Sequence, residues 1–305
     1  EVWSFNLRTE FQDANDGADG WTQRREGVAE LVRARQPALV CVQEATEPML
    51  AFLEERLGAA DRSGAYAWAA TSRTPGQKDE TAGFLYDRRR LELRDHGATW
   101  LGPPGSEAGV PAWDAARART FETAVFEVCA DARPAGRLRV LNTHLDHVGV
   151  QARARSAEML AAALGRGAVE RPECAQILCG DFNSPKGGGN VVYQKLTSGE
   201  AGLRDAARHA AETELVLSTI HKFQGLDFAA ARGDGTVDLS GSGDGQELAA
   251  ADDRHIDWVL WRDAAAEPGL RLRPLRCEVL TDRLPSGRFP SDHFPVSVTF
   301  ALAEA

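Results

Sequence analysis

Short apolar runs of strand length alternate along the chain with polar, glycine-containing connections, and only a few stretches carry the wider apolar spacing of a helix. Residues 2–7, 38–43, 66–70, 83–86, 91–100, 121–129, 138–142, 175–179, 255–261, 271–280 and 296–302 read as strands. In residues 21–35 the apolar positions Trp21, Val28, Leu31 and Val32 recur at helical spacing, and Pro37 ends the pattern. Residues 47–57 and the amphipathic stretch 150–164 read as further helices, with 187–196 and 203–211 as shorter ones. The connections 13–20, 71–81, 103–117 and 218–225 read as loops. Residues 233–253 are dominated by Gly, Asp and Ser with little to bury, which predicts a mobile surface loop within a single domain spanning residues 1–305.

Where each strand ends changes the picture more than the strands themselves. The run 175–179 delivers Asp181 and Asn183 to a loop exit marked by Ser184, Pro185 and Gly187 to Gly189, 38–43 ends in Glu44, 2–7 presents Asn6, and 138–142 runs into His144. Asp257 is embedded in the apolar stretch 255–261, where a buried carboxylate needs a partner. Asp292 and His293 precede the last strand. Taken singly, each has an ordinary explanation as a turn, cap or solvated residue. Together they form a set of oxygen ligands plus imidazoles at strand mouths, where loops converge on a rigid sheet. Carboxylate and amide oxygens suit a hard cation such as Mg²⁺ or Mn²⁺ rather than zinc.

Composition narrows the class. With 305 residues, 43% apolar and 26% charged, the chain can bury a sizeable core. No apolar run approaches the roughly 20 residues needed to span a bilayer, and the first residues lack the order of a signal peptide. The compartment stays open, with a soluble, cytoplasmic setting favoured. Five cysteines, three of them inside apolar runs, argue for reduced core residues rather than a disulfide framework. The net charge of −10 opposes the basic surface of a protein that holds nucleic acid by charge.

The segments Ser4-Phe5-Asn6, Val42-Gln43-Glu44, Asn142-Thr143-His144, Gly180-Asp181-Phe182-Asn183, Ile256-Asp257-Trp258 and Ser291-Asp292-His293 resemble, in order and spacing, the motifs of the endonuclease/exonuclease/phosphatase superfamily. The resemblance covers nearly the whole chain. It implies a four-layered α/β sandwich, in which two packed, mainly antiparallel β-sheets are flanked by helices. It also implies that Glu44 binds Mg²⁺ (with Mn²⁺ as a substitute), with Asn6 as ligand or orienter and Asp292 on the same or a second ion. Asp181 then aligns or deprotonates the attacking water, Asn183 donates to the phosphoryl group, and His144 and His293 flank it, oriented by Glu80 and Asp257 respectively. Arg73, Arg119, His221 and Phe223 are the candidates for substrate contact. The segment holding His221, with Lys222 beside it, departs from the pattern of the bacterial branch that the chain most resembles. The implied function is Mg-dependent phosphoester hydrolysis by direct attack of water. A small phosphoester is the favoured substrate. An endo- or exonuclease acting on DNA or RNA is the alternative, and a catalytically silent scaffold of the same fold is a third reading.

Overall fold

The computed structural model describes residues 1–58, 66–130, 133–186, 189–199, 201–230 and 254–303; the predicted loop at 233–253 lies outside the described residues. Among these the strands are β1 (Val2–Asn6), β2 (Leu39–Gln43), β3 (Tyr66–Ala69), β4 (Phe84–Asp87), β5 (Leu91–Trp100), β6 (Thr120–Ala130), β7 (Arg133–His144), β8 (Cys174–Asp181), β9 (Arg204–Asp205), β10 (Glu212–Glu214), β11 (Asp257–Arg262), β12 (Arg271–Val279) and β13 (Val296–Ala303). The helices are α1 (Asp13–Asp16), α2 (Trp21–Arg35), α3 (Glu47–Gly58), α4 (Val150–Glu170), α5 (Val191–Thr197), α6 (Ala206–His209) and α7 (Asp227–Ala230). One sheet runs β10-β12-β13-β1-β2-β4-β3 and the other β5-β6-β7-β8-β11-β9. Both are mixed: β1–β2, β10–β12 and β7–β8 pair in parallel, and the remaining neighbours are antiparallel.

Period-two alternation sorts the side chains into layers. From β1 and β2, Trp3, Phe5, Val40 and Val42 pack outward against Trp21, Val28, Met49 and Leu53 of α2 and α3. Their neighbours Val2, Leu39 and Cys41 face inward, against Val140, Ile177, Cys179 and Val259 of the other sheet. Leu141, Leu178 and Leu260 face α4 and α5 on the far side. The result is an α/β sandwich of helix, sheet, sheet and helix layers.

At one end of the sandwich the inward-facing series changes from apolar to polar. Val2 and Ser4 lead to Asn6, Cys41 to Gln43, Val140 to Asn142 and His144, and Cys179 to Asp181. On β11, which is antiparallel to β8, Asp257 stands opposite Asp181. The same alternation that builds the core therefore delivers the chemistry. A buried bridge ties the two sheets here: Gln43 Nε2 donates to Asn142 Oδ1 at 2.7 Å, and Asn142 Nδ2 donates to Val42 O and Gly83 O.

Four expectations shift. The loop expected at 13–20 contains α1 and flanking 3-10 turns, and the Asp13 carboxylate accepts from Trp21 N and Thr22 N at the start of α2. Of the helix expected at 187–196, residues 187 and 188 lie outside the described residues, and the described helix starts at Val191, where Asn190 Oδ1 caps it. The helix expected at 203–211 opens as β9 against β11, and Asp205 caps α6. The strand expected at 138–142 extends over the whole of β7 through its pairing with β6. Among the described residues no helix is long and apolar enough to cross a membrane.

Candidate active site

Groups from both sheets line an open cavity of about 650 Å³ at the polar end of the sandwich. Asn6 is its central connector. The Asn6 Nδ2 donates to Glu44 Oε1 at 3.1 Å and to Asp181 Oδ2 at 3.0 Å, while Asn6 Oδ1 accepts from Arg8 N at 2.9 Å. The amide nitrogen rather than the oxygen faces the carboxylates, so Asn6 orients them. Glu44 Oε2 accepts from Thr9 N at 3.3 Å. Arg8 pairs bidentately with Asp16 and approaches Asp292 at 3.7 Å. Arg8, Glu44 and Asn183 all adopt left-handed backbone, with φ of 54°, 54° and 45°. Such conformations cost non-glycine residues energy and gather where a site over-determines the backbone.

On the opposite sheet, Asp181 Oδ2 lies 3.6 Å from His144 Nε2 and 3.9 Å from His293 Nε2. His293 Nδ1 meets Asp257 Oδ2 at 2.9 Å. Thr219 Oγ1 accepts from the backbone N–H groups of Ile256 and Asp257, and Phe294 N donates to Thr219 O, which pins the loops bearing Asp257 and His293 together. Asn183 Nδ2 donates to Leu145 O and meets His144 Nε2, both at 3.0 Å. Both Asn183 amide hydrogens are thus engaged, and donation to a phosphoryl group requires giving up one of these bonds.

The remaining wall is basic. Arg73 binds Glu80 at 2.6 Å and Asp79 at 2.9 Å. Arg119 Nη2 meets His147 Nδ1 at 3.0 Å, and Arg119 Nε approaches Asp146 at 3.4 Å. The Asp146 carboxylate also accepts from the N–H groups of Ala116, Arg117, Val148 and Gly149, tying the 112–119 loop to the turn after β7.

Burial and crowded charge set the protonation states. Burial, with Asp257 opposite, pushes Asp181 up to about 7 against the pull of His293, Asn183 N–H and Asn6. Burial and Glu44 push Glu80 up to about 7. Burial also raises Asp292, although His293 and Arg8 oppose it. For Glu44, burial is outweighed by Arg8, Asn6, His293 and Thr9 N–H, and the carboxyl stays below its ordinary range. Burial disfavours a charged His293, yet Asp257, Asp181 and Asp292 together raise it to about 10. His144 is pushed down by burial and by Arg119 and Arg73, so its imidazole is neutral.

This distribution fits a cation. Half-buried Glu44 and buried Asp181 and Asp292 are oxygen donors around one cavity, and burial, the largest cause of the upward shifts of Asp181 and Asp292, disfavours their charged forms, a cost that a bound cation would offset. Asp181, Asp257 and His293 also form a compact group whose possible ligand atoms lie within 4.8 Å of one another. Its imidazole, however, is protonated and bonded to Asp257, so the acidic side of the cavity, at Glu44 and Asp292, suits a cation better.

Of the residues singled out in the sequence, Asn6, Glu44, His144, Asp181, Asn183, Asp257, Asp292 and His293 converge, and Arg73, Glu80 and Arg119 line the basic wall. Three expectations are corrected. Glu80 orients Arg73 and not His144, because both hang from the same connection and the short ion pair satisfies it. His221 lies beneath the cavity, stacked on Phe294 at 3.8 Å and edge-on to Phe289, where burial and His293 lower it to about 3. Phe223 covers the Arg24 guanidinium at 5.3 Å, so Ile220 and Lys222 line the cavity in place of His221 and Phe223. Sequence reasoning missed Arg8, whose only signal was its place two residues beyond Asn6, and Arg117 and His147 on the basic wall.

The sequence matches the family described as Endonuclease/Exonuclease/phosphatase over residues 3–293. The chain belongs to that family. Members are hydrolytic phosphoesterases or nucleases and are in general divalent-metal dependent. Similar solved structures share the fold at low identity. The endonuclease/exonuclease/phosphatase from Bacteroides vulgatus has 24% identity and a TM-score of 0.75, covering 99% of this chain and 98% of that one. The mannosyl-6-phosphatase from Bacteroides thetaiotaomicron has 23% identity and a TM-score of 0.75, covering 98% of each chain. TDP2 from D. rerio, solved with a single-strand DNA product, has 16% identity and a TM-score of 0.62, again with 98% of each chain covered. No curated protein matches the sequence.

Proposed function

We propose that this chain is a Mg²⁺- or Mn²⁺-dependent hydrolase of small phosphate esters that acts by direct attack of water. The observation that carries the reading is one cavity that gathers the oxygen donors Glu44, Asp181 and Asp292 with the His293 imidazole held by Asp257 and with a wall of arginines. Glu44 and Asp292 would hold the cation, and Asn6 orients Glu44 and Asp181 through its amide. When bound, the cation would draw charge from a phosphoryl oxygen and offset the negative charge of the transition state. Asp181, poised near 7, aligns and deprotonates the attacking water, since a base is most effective when its pKa lies near the working pH. His293, cationic and fixed by Asp257, donates to the phosphoryl oxygens. Neutral His144 is held beside Asp181 by Asn183. Arg73 and Arg119 receive the anionic ester on the basic wall.

Among the described residues, the cavity lining contains no Phe, Tyr or Trp on which a base could stack. That ranks a small ester above nucleic acid, in keeping with the phosphatase among the similar structures. The test is hydrolysis of a panel of sugar phosphates, inositol phosphates, phospholipid headgroups and single- and double-stranded nucleic acid, with Mg²⁺, with Mn²⁺ and with chelator. Full activity in chelator refutes the cation, and faster turnover of polynucleotide than of every small ester refutes the substrate class.

A further inference from the structure

Arg24 on α2 is fully buried, yet among the described residues no carboxylate accepts a hydrogen bond from it. Its guanidinium instead donates to backbone carbonyls: Nε to Asp19 O at 2.5 Å, Nη1 to Leu7 O at 3.1 Å and Pro290 O at 2.5 Å, and Nη2 to Arg8 O at 3.2 Å. Trp21 and Phe223 contact it as cation–π partners, at 5.8 and 5.3 Å. Three of these four carbonyls, those of Leu7, Arg8 and Pro290, belong to the exit of β1 and to the loop before β13, the segments that carry Asn6, Arg8 and Asp292.

The peptide units involved have a second end. In a trans peptide the C=O and N–H point in opposite directions, so anchoring the oxygen fixes where the N–H aims. The unit whose oxygen is Leu7 O has Arg8 N as its donor, which bonds Asn6 Oδ1 at 2.9 Å. The next unit, with Arg8 O, has Thr9 N as its donor, which bonds Glu44 Oε2 at 3.3 Å. Left-handed backbone at Arg8 turns these two successive units so that both are gripped by one guanidinium. Pro290 O lies two residues before Asp292. The planar fork of an arginine can span carbonyls from separate segments, which the point charge of a lysine cannot reproduce.

We propose that Arg24 is a positioning residue for the candidate cation site, holding Asn6, Glu44 and Asp292 in place through the backbone oxygens of Leu7, Arg8 and Pro290. The cation part of this inference rests on the function proposed above; the bracing of the loops does not. Arg24→Lys keeps the charge and removes the fork, and is compared with Arg262→Lys, whose parent side chain donates to Ala201 O and Leu164 O at the other end of β11 from Asp257. Calorimetric titration of the full chain with Mn²⁺ should show binding 10- to 100-fold weaker in Arg24→Lys, the usual cost of losing an outer support of a metal site, and unchanged in Arg262→Lys. In metal-free protein, hydrogen exchange at the Arg8 and Thr9 amides should accelerate at least tenfold in Arg24→Lys alone. If Arg24→Lys does not fold, Arg24→Gln is read in the same way. Unchanged protection of the two amides overturns the proposal, and so does loosened protection with Mn²⁺ affinity kept within twofold. Loosened amides in a chain that binds no Mn²⁺ even unmodified support the brace and overturn the cation site.

Discussion

Replacing Asp146 by Asn tests whether the basic wall is built by one carboxylate. Burial pushes the Asp146 carboxyl up, but the N–H groups of Gly149 and Ala116, the Arg119 guanidinium and Val148 N–H together bring it from 3.8 down to about 2. The difference of about 1.8 units corresponds to about 2 kcal/mol of stability at neutral pH, at 1.36 kcal/mol per unit. A depressed carboxylate contributes fully above its unfolded pKa and loses its contribution as pH falls through the folded one. The window therefore lies between about pH 5 and pH 2, and at pH 3 roughly half of the contribution remains. Asn cannot accept at both positions, and its NH₂ group faces the donors Arg117 N and Arg119 Nε or those of Ala116, Val148 and Gly149. Each donor stranded in this way costs about 1–3 kcal/mol. Urea unfolding at pH 6 should show Asp146→Asn destabilised by about 3–5 kcal/mol. At pH 3 the gap between parent and variant should narrow by about 1 kcal/mol. Because Arg119 and His147 lose their anchor, KM for a small ester should rise more than kcat falls. A gap that is the same at both pH values, or a variant within 1 kcal/mol of the parent at pH 6, would refute the reasoning.

Glu44→Gln should lower Mn²⁺ affinity at least tenfold while the thermal midpoint moves little; a collapse of stability with normal activity per folded molecule would make Glu44 structural. Asp257→Asn should reduce turnover by roughly 10²–10⁴-fold, and the double variant with His293→Ala should be little worse than His293→Ala alone. If the two losses multiply, the Asp257 carboxylate acts on something other than His293. His221→Phe should retain activity within about twofold, since the ring is neutral and stacked between phenylalanines, and should lose about 1–3 kcal/mol of stability because Gly225 N loses His221 Nδ1 as its acceptor; a tenfold rise in KM would restore His221 to substrate contact.

Much of the site was legible because strand register does two jobs. Asn6, His144 and Asp181 continue the inward face of runs whose apolar members are plain in the sequence, so their convergence follows from the same alternation as the core. The strand ends were legible for the same reason, whereas α1 and the late start of α5 depend on the local caps Asp13 and Asn190. Partner choice was less legible. Glu80 has two basic neighbours and an imidazole within the same cavity, and only the packed connection decides for Arg73. His221 and Phe223 sit beside lining residues, and nothing in a loop sequence says which of its side chains turn inward. Arg24 was invisible because its partners are backbone carbonyls, which every residue supplies and only the tertiary fold selects.

The proposed catalytic groups belong to opposite sheets. In one sheet Asn6 ends β1, Glu44 follows β2, and Asp292 and His293 precede β13, while in the other His144 and Asp181 end β7 and β8 and Asp257 begins β11. The bonds Asn6–Asp181, Asp257–His293 and Gln43–Asn142 cross between the sheets. The working distances of the site are therefore set by the thickness of the apolar filling beneath it. Cys41 and Cys179 are in that filling, two residues before Gln43 and Asp181. Enlarging either side chain would wedge the sheets apart and lengthen these bonds, altering the chemistry from below while leaving every reacting group in the sequence untouched.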